Sequence, residues 1–208
     1  MPSSPSAPAA RGRPRSITRE RIVDAGLAIG LPKLTFVGVA AALGVSHMAL
    51  YKHVPSLEAL KRLIAEEVFS RWELPQGGDA GPRELEPYLH LFVASLRDMV
   101  KANPGLTPYL IRRSAATQPM IAKIDHHQSL IAQAYGISKE QARWLLATLA
   151  FHCIAVADTV YSVSGLGLEL ESERAAEAAE IESEFAQGMH ILIVGALAVL
   201  KSGPGAGR

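Results

Sequence analysis

Apolar residues recur along this chain every three to four positions, and no long stretch alternates with period two. That spacing gathers apolar side chains on one face of a helix and does not suit a strand. Ile22, Val23, Gly26 and Ile29 share a face over Arg19–Ile29, with Thr18 placed to cap its start. Gly30-Leu31-Pro32 ends that helix. Thr35 caps a second, short helix over Phe36–Leu43, which stops at Gly44. Ser46 caps a third over 47–53. Pro55-Ser56 starts a fourth, with Leu57, Leu60, Ile64 and Val68 on one face.

The run from Pro75 to Pro82 (PQGGDAGP) is the strongest break in the chain, and a domain boundary is placed there. Beyond it, Leu85, Leu89, Phe92, Leu96 and Met99 mark a long amphipathic helix that Asn103-Pro104-Gly105 ends. A short helix follows over 106–113. Another opens at Gln118-Pro119 and closes at Tyr135-Gly136. Ser138 caps a helix to about residue 164, and the last covers about 171–200. The pattern predicts an all-α fold of about nine helices.

Composition narrows the class. With 208 residues and 49% hydrophobic content, the chain is long and apolar enough to bury a core. Its one cysteine, Cys153, cannot pair within the chain, so a reducing, cytoplasmic setting is expected. No continuous apolar run approaches the roughly 18 residues of a membrane helix, and the longest, 189–200, reads as a buried helix. The start lacks the continuous apolar stretch of a signal peptide. Charge is asymmetric: residues 1–62 carry +6 and residues 63–208 carry −5, within a net +1. A basic head on an acidic body suits a polyanionic partner, against the alternative of a chance fluctuation of surface charge.

Residues 36–54 carry the functional signal. Val39 and Leu43 face the core from the first helix, and Ala40 is small where a second helix crosses. Gly44 sits where the turn needs a left-handed residue, Val45 plugs the turn and Leu50 anchors the second helix. The other side chains of that helix point outward, as a major groove requires. An ordinary αα-corner also needs a small residue and a glycine, but the basic head favours DNA.

Thr35, Val39-Ala40, Leu43-Gly44-Val45-Ser46, Ala49-Leu50-Tyr51-Lys52-His53-Val54 and Glu58-Ala59-Leu60 resemble the N-terminal domain of TetR-family transcriptional regulators. The resemblance covers about residues 18–70; beyond it only the helical layout is similar. It implies a flexible basic arm over 1–17, a three-helix helix-turn-helix domain over 18–72, a helical effector-binding and dimerisation domain over 83–200, and a flexible tail over 201–208. The implied protein is a homodimeric repressor on a palindromic double-stranded operator, released by a small apolar or amphipathic effector. By the same resemblance Thr35, Ser46, His47, Met48 and Ala49 lie at the DNA, with His47 and Met48 opening the recognition helix. Tyr51, Lys52 and His53 match the positions that grip phosphate and sugar. The family's basic residue in the turn after Thr35 is replaced by Phe36-Val37-Gly38, and Leu57 stands where many members have lysine. Arg11, Arg13 and Arg15, in Arg11-Gly12-Arg13-Pro14-Arg15, read either as the core of an AT-hook entering a narrow minor groove or as a generic basic tail.

In the C-terminal body, 144–156 is apolar nearly all round, so that helix is expected to be buried on several sides. Thr148, His152, Ala155, Thr159 and Ser162 form a polar or small stripe that reads as cavity lining or as satisfied core and interface. Phe92, Met99, Tyr109, Met120, His127, Trp144, Thr148, Phe151 and His152 are the ligand-binding candidates, with plain core as the competing reading. Phe185, Met189, Leu192, Ala196 and Val199 share a face of the last helix, and Gly188 and Gly195 admit a close partner helix, which predicts a four-helix dimer interface. No metal is expected, because adjacent His126 and His127 point about 100° apart. No cofactor is expected either. No GxSxG, Gly-rich phosphate loop or His-Glu-x-x-His motif is present, so no enzyme is expected. The alternative function is an architectural or co-regulatory DNA-binding protein without an effector, whose core would be filled.

Overall fold

The computed structural model describes residues 17–163 and 171–202. They form nine α-helices and two 3₁₀ turns, with no strand among the described residues. The helices are α1 Arg19–Ile29, α2 Phe36–Leu43, α3 His47–Tyr51, α4 Leu57–Arg71, α5 Leu85–Ala102, α6 Thr107–Ile111, α7 Gln118–Tyr135, α8 Lys139–Val163 and α9 Glu171–Ser202. Arg11, Arg13 and Arg15 lie outside the described residues.

The caps read from sequence close the helices they were assigned to. Thr18, Thr35, Ser46 and Ser56 hydroxyls accept from the backbone N–H of Arg21, Gly38, Ala49 and Ala59 at 3.0–3.3 Å. Ser138 and Gln141 satisfy each other reciprocally: Gln141 N–H donates to Ser138 Oγ at 3.0 Å, and Ser138 N–H donates to Gln141 Oε1 at 2.8 Å. Gly44 is left-handed (φ 69°, ψ 34°), which lets the Val45 N–H reach back to the Ala40 carbonyl at 3.0 Å and turns the chain from α2 into α3. Three helices differ in their bounds from the sequence pattern, the short α6 covering Thr107–Ile111 in place of 106–113. The third helix stops at Tyr51 rather than residue 53, and the last runs on to Ser202.

One continuous cluster of buried apolar side chains runs from Ile22 in α1 to Leu197 in α9. Around Leu50 and Leu60, both at 0% exposure, α1 packs on α2 and α4. Gly26 is needed there: a Cβ on it would meet Ile64 Cγ1 at 2.7 Å and press still closer on Cδ1. In the body, α5 packs against α8 and α9, and α7 packs on α8.

Two expectations for the body change. The helix spanning 144–156 is buried on one side only, through Leu145, Leu149, Cys153 and Ala157, while Thr148, Phe151, His152, Ala155 and Val156 are exposed. On α9, Phe185, Met189 and Ala196 face the core with Ile193 and Leu197, whereas Val199 turns outward with Ile191 and Val194. The apolar pattern around these helices thus merges two faces. Lys139–Tyr161 and Ala179–Ser202 are each long and apolar enough, by length and composition, to cross a membrane. A helical window tolerates the scattered polar residues that interrupt a continuous run.

Inside the body, Tyr88 and His127 form a buried pair, with Tyr88 Oη 2.7 Å from His127 Nε2. Burial pushes the Tyr88 hydroxyl well above its ordinary value. It pulls His127 down from 6.5 to about 4, helped by the charges of His126 and Lys123. Both groups are therefore neutral at neutral pH. Cys153, its thiol against the Val93 carbonyl, is pushed up to about 12 by burial and is inert.

Gly26→Val is expected to cost about 1–3 kcal/mol through overpacking against Ile64, read as a Tm lowered by several degrees. His127 supplies a pH dependence with a defined sign. The unfolded chain protonates this imidazole near 6.5 and the folded chain only near 4, so the unfolded state binds more protons between those values. Stability from this group falls as pH drops through that window and is unaffected above it. The Tm of His127→Gln should therefore decline less than that of the unaltered chain between pH 6.5 and 4; parallel declines would place the acid sensitivity elsewhere.

Candidate nucleic-acid interface and buried cavity

α2 and α3 present one polar and apolar outer face. His47, Lys52 and His53 are exposed, Met48 is 63% exposed, and Ala49 is half-buried behind them. Thr35 and Ser46 are exposed at the starts of the two helices, but their hydroxyls already serve as caps. Tyr51 does two things at once. Its ring stacks on Phe36 at 4.2 Å between centroids and 12° between planes, yet 44% of the residue stays exposed. α3 has only five residues, and the buried Leu50 holds it against α2, so the outer side chains move as a unit with the module.

Val37, in the stretch where the resemblance implies a basic residue, is 69% exposed in the first turn of α2. Its only sequence signal is an apolar residue next to a capped helix start.

The body contains a largely apolar cavity of about 170 Å³. Phe92, Met120, His127 and Phe151, four of the sequence-derived ligand candidates, line it. The other five do not. Met99 and Trp144 pack into the core cluster. Tyr109 is buried, and its hydroxyl donates to Glu58 Oε2 at 3.3 Å, bracing α6 against α4. Thr148 and His152 face outward on α8. The cavity's further walls include Phe69, Trp72 and Gln128, none of which the sequence reading proposed. Phe69 and Trp72 were missed because the pattern assigns them to the helix that leaves the helix-turn-helix. Only the packing of α4 against α7 turns that end inward.

Polarity in the cavity is sparse and neutral. His127 and Gln128 are the buried polar residues of the described chain, and both reach it. The side of Trp72 faces the cavity while its Nε1–H donates to Ser95 Oγ at 2.8 Å. Phe151, 51% exposed, stands between the cavity and solvent.

Beside the cavity, the end of α4 is fastened to α7 by one lysine. Lys123 Nζ donates to the carbonyls of Phe69, Ser70 and Trp72 at 3.0, 2.8 and 2.5 Å. These are the carbonyls that a helix C-terminus leaves without partners, at its negative end. Burial lowers the Lys123 ammonium from its ordinary value, with Glu73 opposing that shift. Further up α4, an Arg62 guanidinium N–H donates to the Ser114 carbonyl.

A second apolar surface lies on the opposite side of α8. Val156 and Val160 of α8 and Gly188, Ile191 and Leu192 of α9 border a groove that opens to solvent. Ile191 is 64% exposed. A Cβ on Gly188 or Gly195 would meet nothing within 4 Å, so no packing among the described residues calls for glycine there.

No family model matches the sequence. An uncharacterized HTH-type transcriptional regulator of Mycobacterium tuberculosis is 36% identical over 167 residues, covering 68% of this chain and 75% of that protein. Among solved structures, the Streptomyces coelicolor TetR family protein ActR in complex with actinorhodin superposes with a TM-score of 0.68 at 21% identity, covering 93% of this chain and 100% of that one. A TetR variant from Acinetobacter baumannii in complex with minocycline superposes with a TM-score of 0.65 at 19% identity, covering 86% and 96%. At those identities the structural likeness carries the fold, and the mycobacterial relative carries the regulator class. The chain belongs to the HTH-type transcriptional regulators and has the all-α fold of the TetR-family structures.

Proposed function

We propose that this protein is a homodimeric repressor that binds a palindromic operator through α2 and α3 and is released by a small, neutral, mainly apolar ligand. The observation that carries the reading is the shared wall. Phe69 and Trp72, at the end of the helix that leaves the DNA-binding module, line the cavity in the body. A ligand there touches the lever itself.

Size supports a switch over a passive pocket. Ligand sites usually enclose about 300–1,000 Å³. The space here is about 170 Å³, so a larger molecule must push its walls apart. The walls that can yield are Phe151 at the mouth and the end of α4, which Lys123 couples to α7. Displacing α4 changes the separation of the two recognition helices, which must match half-sites about one helical turn apart. Neutral His127 and Gln128 suit a ligand with one or two hydrogen-bonding groups and no net charge. The ligands named for ActR and TetR, actinorhodin and minocycline, are the natural first probes.

The dimer reading rests on the α8–α9 face. Its exposed valines and isoleucine cost free energy in water, and its two unexplained glycines admit a helix from outside the chain. The expected arrangement pairs α8 and α9 with their copies about a two-fold axis. Operator contacts are assigned to Thr35, Ser46, His47, Met48, Ala49, Tyr51, Lys52 and His53, with arm contacts from Arg11, Arg13 and Arg15. Such a regulator works in the cytoplasm, where the chromosome is.

Selection of bound duplexes from a random pool should enrich a palindrome; recovery of A·T-rich DNA without symmetry would shift the reading to an architectural protein led by the arm. On the enriched operator, Lys52→Ala should weaken binding to all sequences and reduce the salt slope by about one. His47→Ala should instead relax preference at one base position. A pair of variants that leaves both unchanged overturns the recognition-helix assignment. For the switch, Lys123→Met keeps the stem and removes the three hydrogen bonds to α4. Operator affinity measured with and without neutral apolar aromatics, and with minocycline and actinorhodin beside them, should then show a ligand effect smaller by about fivefold or more, the low end of allosteric couplings. An undiminished ligand effect would remove Lys123 from the route.

A further inference from the structure

Outside the cavity, three potential ligand side chains converge from two helices. Glu86 and His90 stand one helical turn apart on α5, and His190 meets them from α9. One donor atom from each lies within 4.8 Å of the other two. His90 Nε2 and His190 Nδ1 are 3.3 Å apart, with ring centroids at 5.3 Å and planes 22° from parallel. His90 is half-buried, while Glu86 and His190 are open to solvent.

The geometry and the donor set agree on one class of occupant. Two nitrogens that each sit about 2.0–2.1 Å from a tetrahedral ion are about 3.3–3.4 Å from one another, which is the nitrogen separation found here. As a hydrogen bond between two rings, the same separation is long. Two imidazole nitrogens and one carboxylate oxygen suit zinc and its transition-metal neighbours, whereas magnesium and calcium prefer oxygen alone. Three protein ligands leave a fourth position for water on the exposed side.

We propose that Glu86, His90 and His190 form a binding site for a divalent transition-metal ion of the zinc class, which ties α9 to α5. The site is separate from the cavity, whose lining includes none of these residues. It repeats a fastening that exists further along the same two helices, where Arg97 and Lys101 of α5 reach Glu182 of α9 at 3.1 and 2.8 Å. Bonded to His190, the ion holds the rotation and level of α9 beside Ile191 and Val194, on the apolar face that the dimer reading uses. The ion thus stabilises the platform, and its binding does not depend on any effector.

The test uses the untagged full-length chain, stripped with a chelator and then given zinc chloride or magnesium chloride. Bound metal is measured by elemental analysis after gel filtration, and Tm is followed in parallel. Expected are about one zinc retained per chain and a Tm raised by roughly 5–10 °C at a hundredfold excess over Kd, with neither effect from magnesium. His90→Gln and His190→Gln should each lose the retained zinc and the Tm gain, while their metal-free Tm stays within about 2 °C of the unaltered chain. His126→Gln should keep both effects. Zinc retained equally by the His90→Gln, His190→Gln double variant, or no zinc-dependent shift in the unaltered chain, overturns the site.

Discussion

α4 takes part in two packings at once, and the behaviour of the molecule follows from that constraint. Near its start and middle, Leu60 and Ile64 fill the core of the DNA-binding module, with Ile64 seated against the bare backbone of Gly26. Near its end, Phe69 and Trp72 pack towards Phe92 and His127 of the body. The helix has fifteen residues, about 22 Å of rise, and neither end is free to move alone. A rigid rod held in two close-packed environments transmits displacement, because packed interiors do not deform continuously.

Polar groups set how firmly that rod is held. The C-terminal carbonyls of α4 have no partners within the helix, and the Lys123 ammonium supplies them from α7. A partly buried charge of this kind is stable only while its hydrogen bonds are made, so the joint is strong when closed and costly when parted. The Tyr88–His127 pair works differently. Both groups are buried and neutral, they satisfy each other, and they leave the cavity without charge. The same burial that keeps His127 neutral leaves that wall of the cavity uncharged.

The outer surface of the body poses the opposite problem. α8 and α9 are among the most apolar helices, yet much of their surface faces water in the single chain. A side chain at Gly188 or Gly195 would meet nothing among the described residues. The ion pairs to Glu182 fix α9 on α5 from one end, and the Glu86–His90–His190 cluster lies further along the same contact. Fastenings on the inner side of α9 keep its outer side in one orientation, as the proposed pairing with a second copy requires.

Local and tertiary information divide cleanly between particular residues. Thr18, Thr35, Ser46, Ser56 and Ser138 act within three positions of themselves, so their capping roles are written in the sequence alone. The turn at Gly44 and the outward set on α3 are equally local, because they occupy one short stretch of consecutive residues. Of the cavity, Phe92, Met120, His127 and Phe151 were legible as apolar or aromatic side chains at helical spacing, but so were Met99, Tyr109 and Trp144, which pack elsewhere. Spacing says which residues share a face and not which neighbour that face meets. Phe69 and Trp72 enter the cavity only because α4 crosses α7, and Tyr109 becomes a brace only because α6 lies under Glu58. His90 and His190 stand one hundred residues apart, and no local pattern links them. The helices, their caps and the turn between α2 and α3 can be read from the chain alone, since these depend on neighbours along it. Which faces enclose a cavity, which helix end lines it and which histidines meet depends on how the helices cross, and that is set by contacts between residues far apart in the chain.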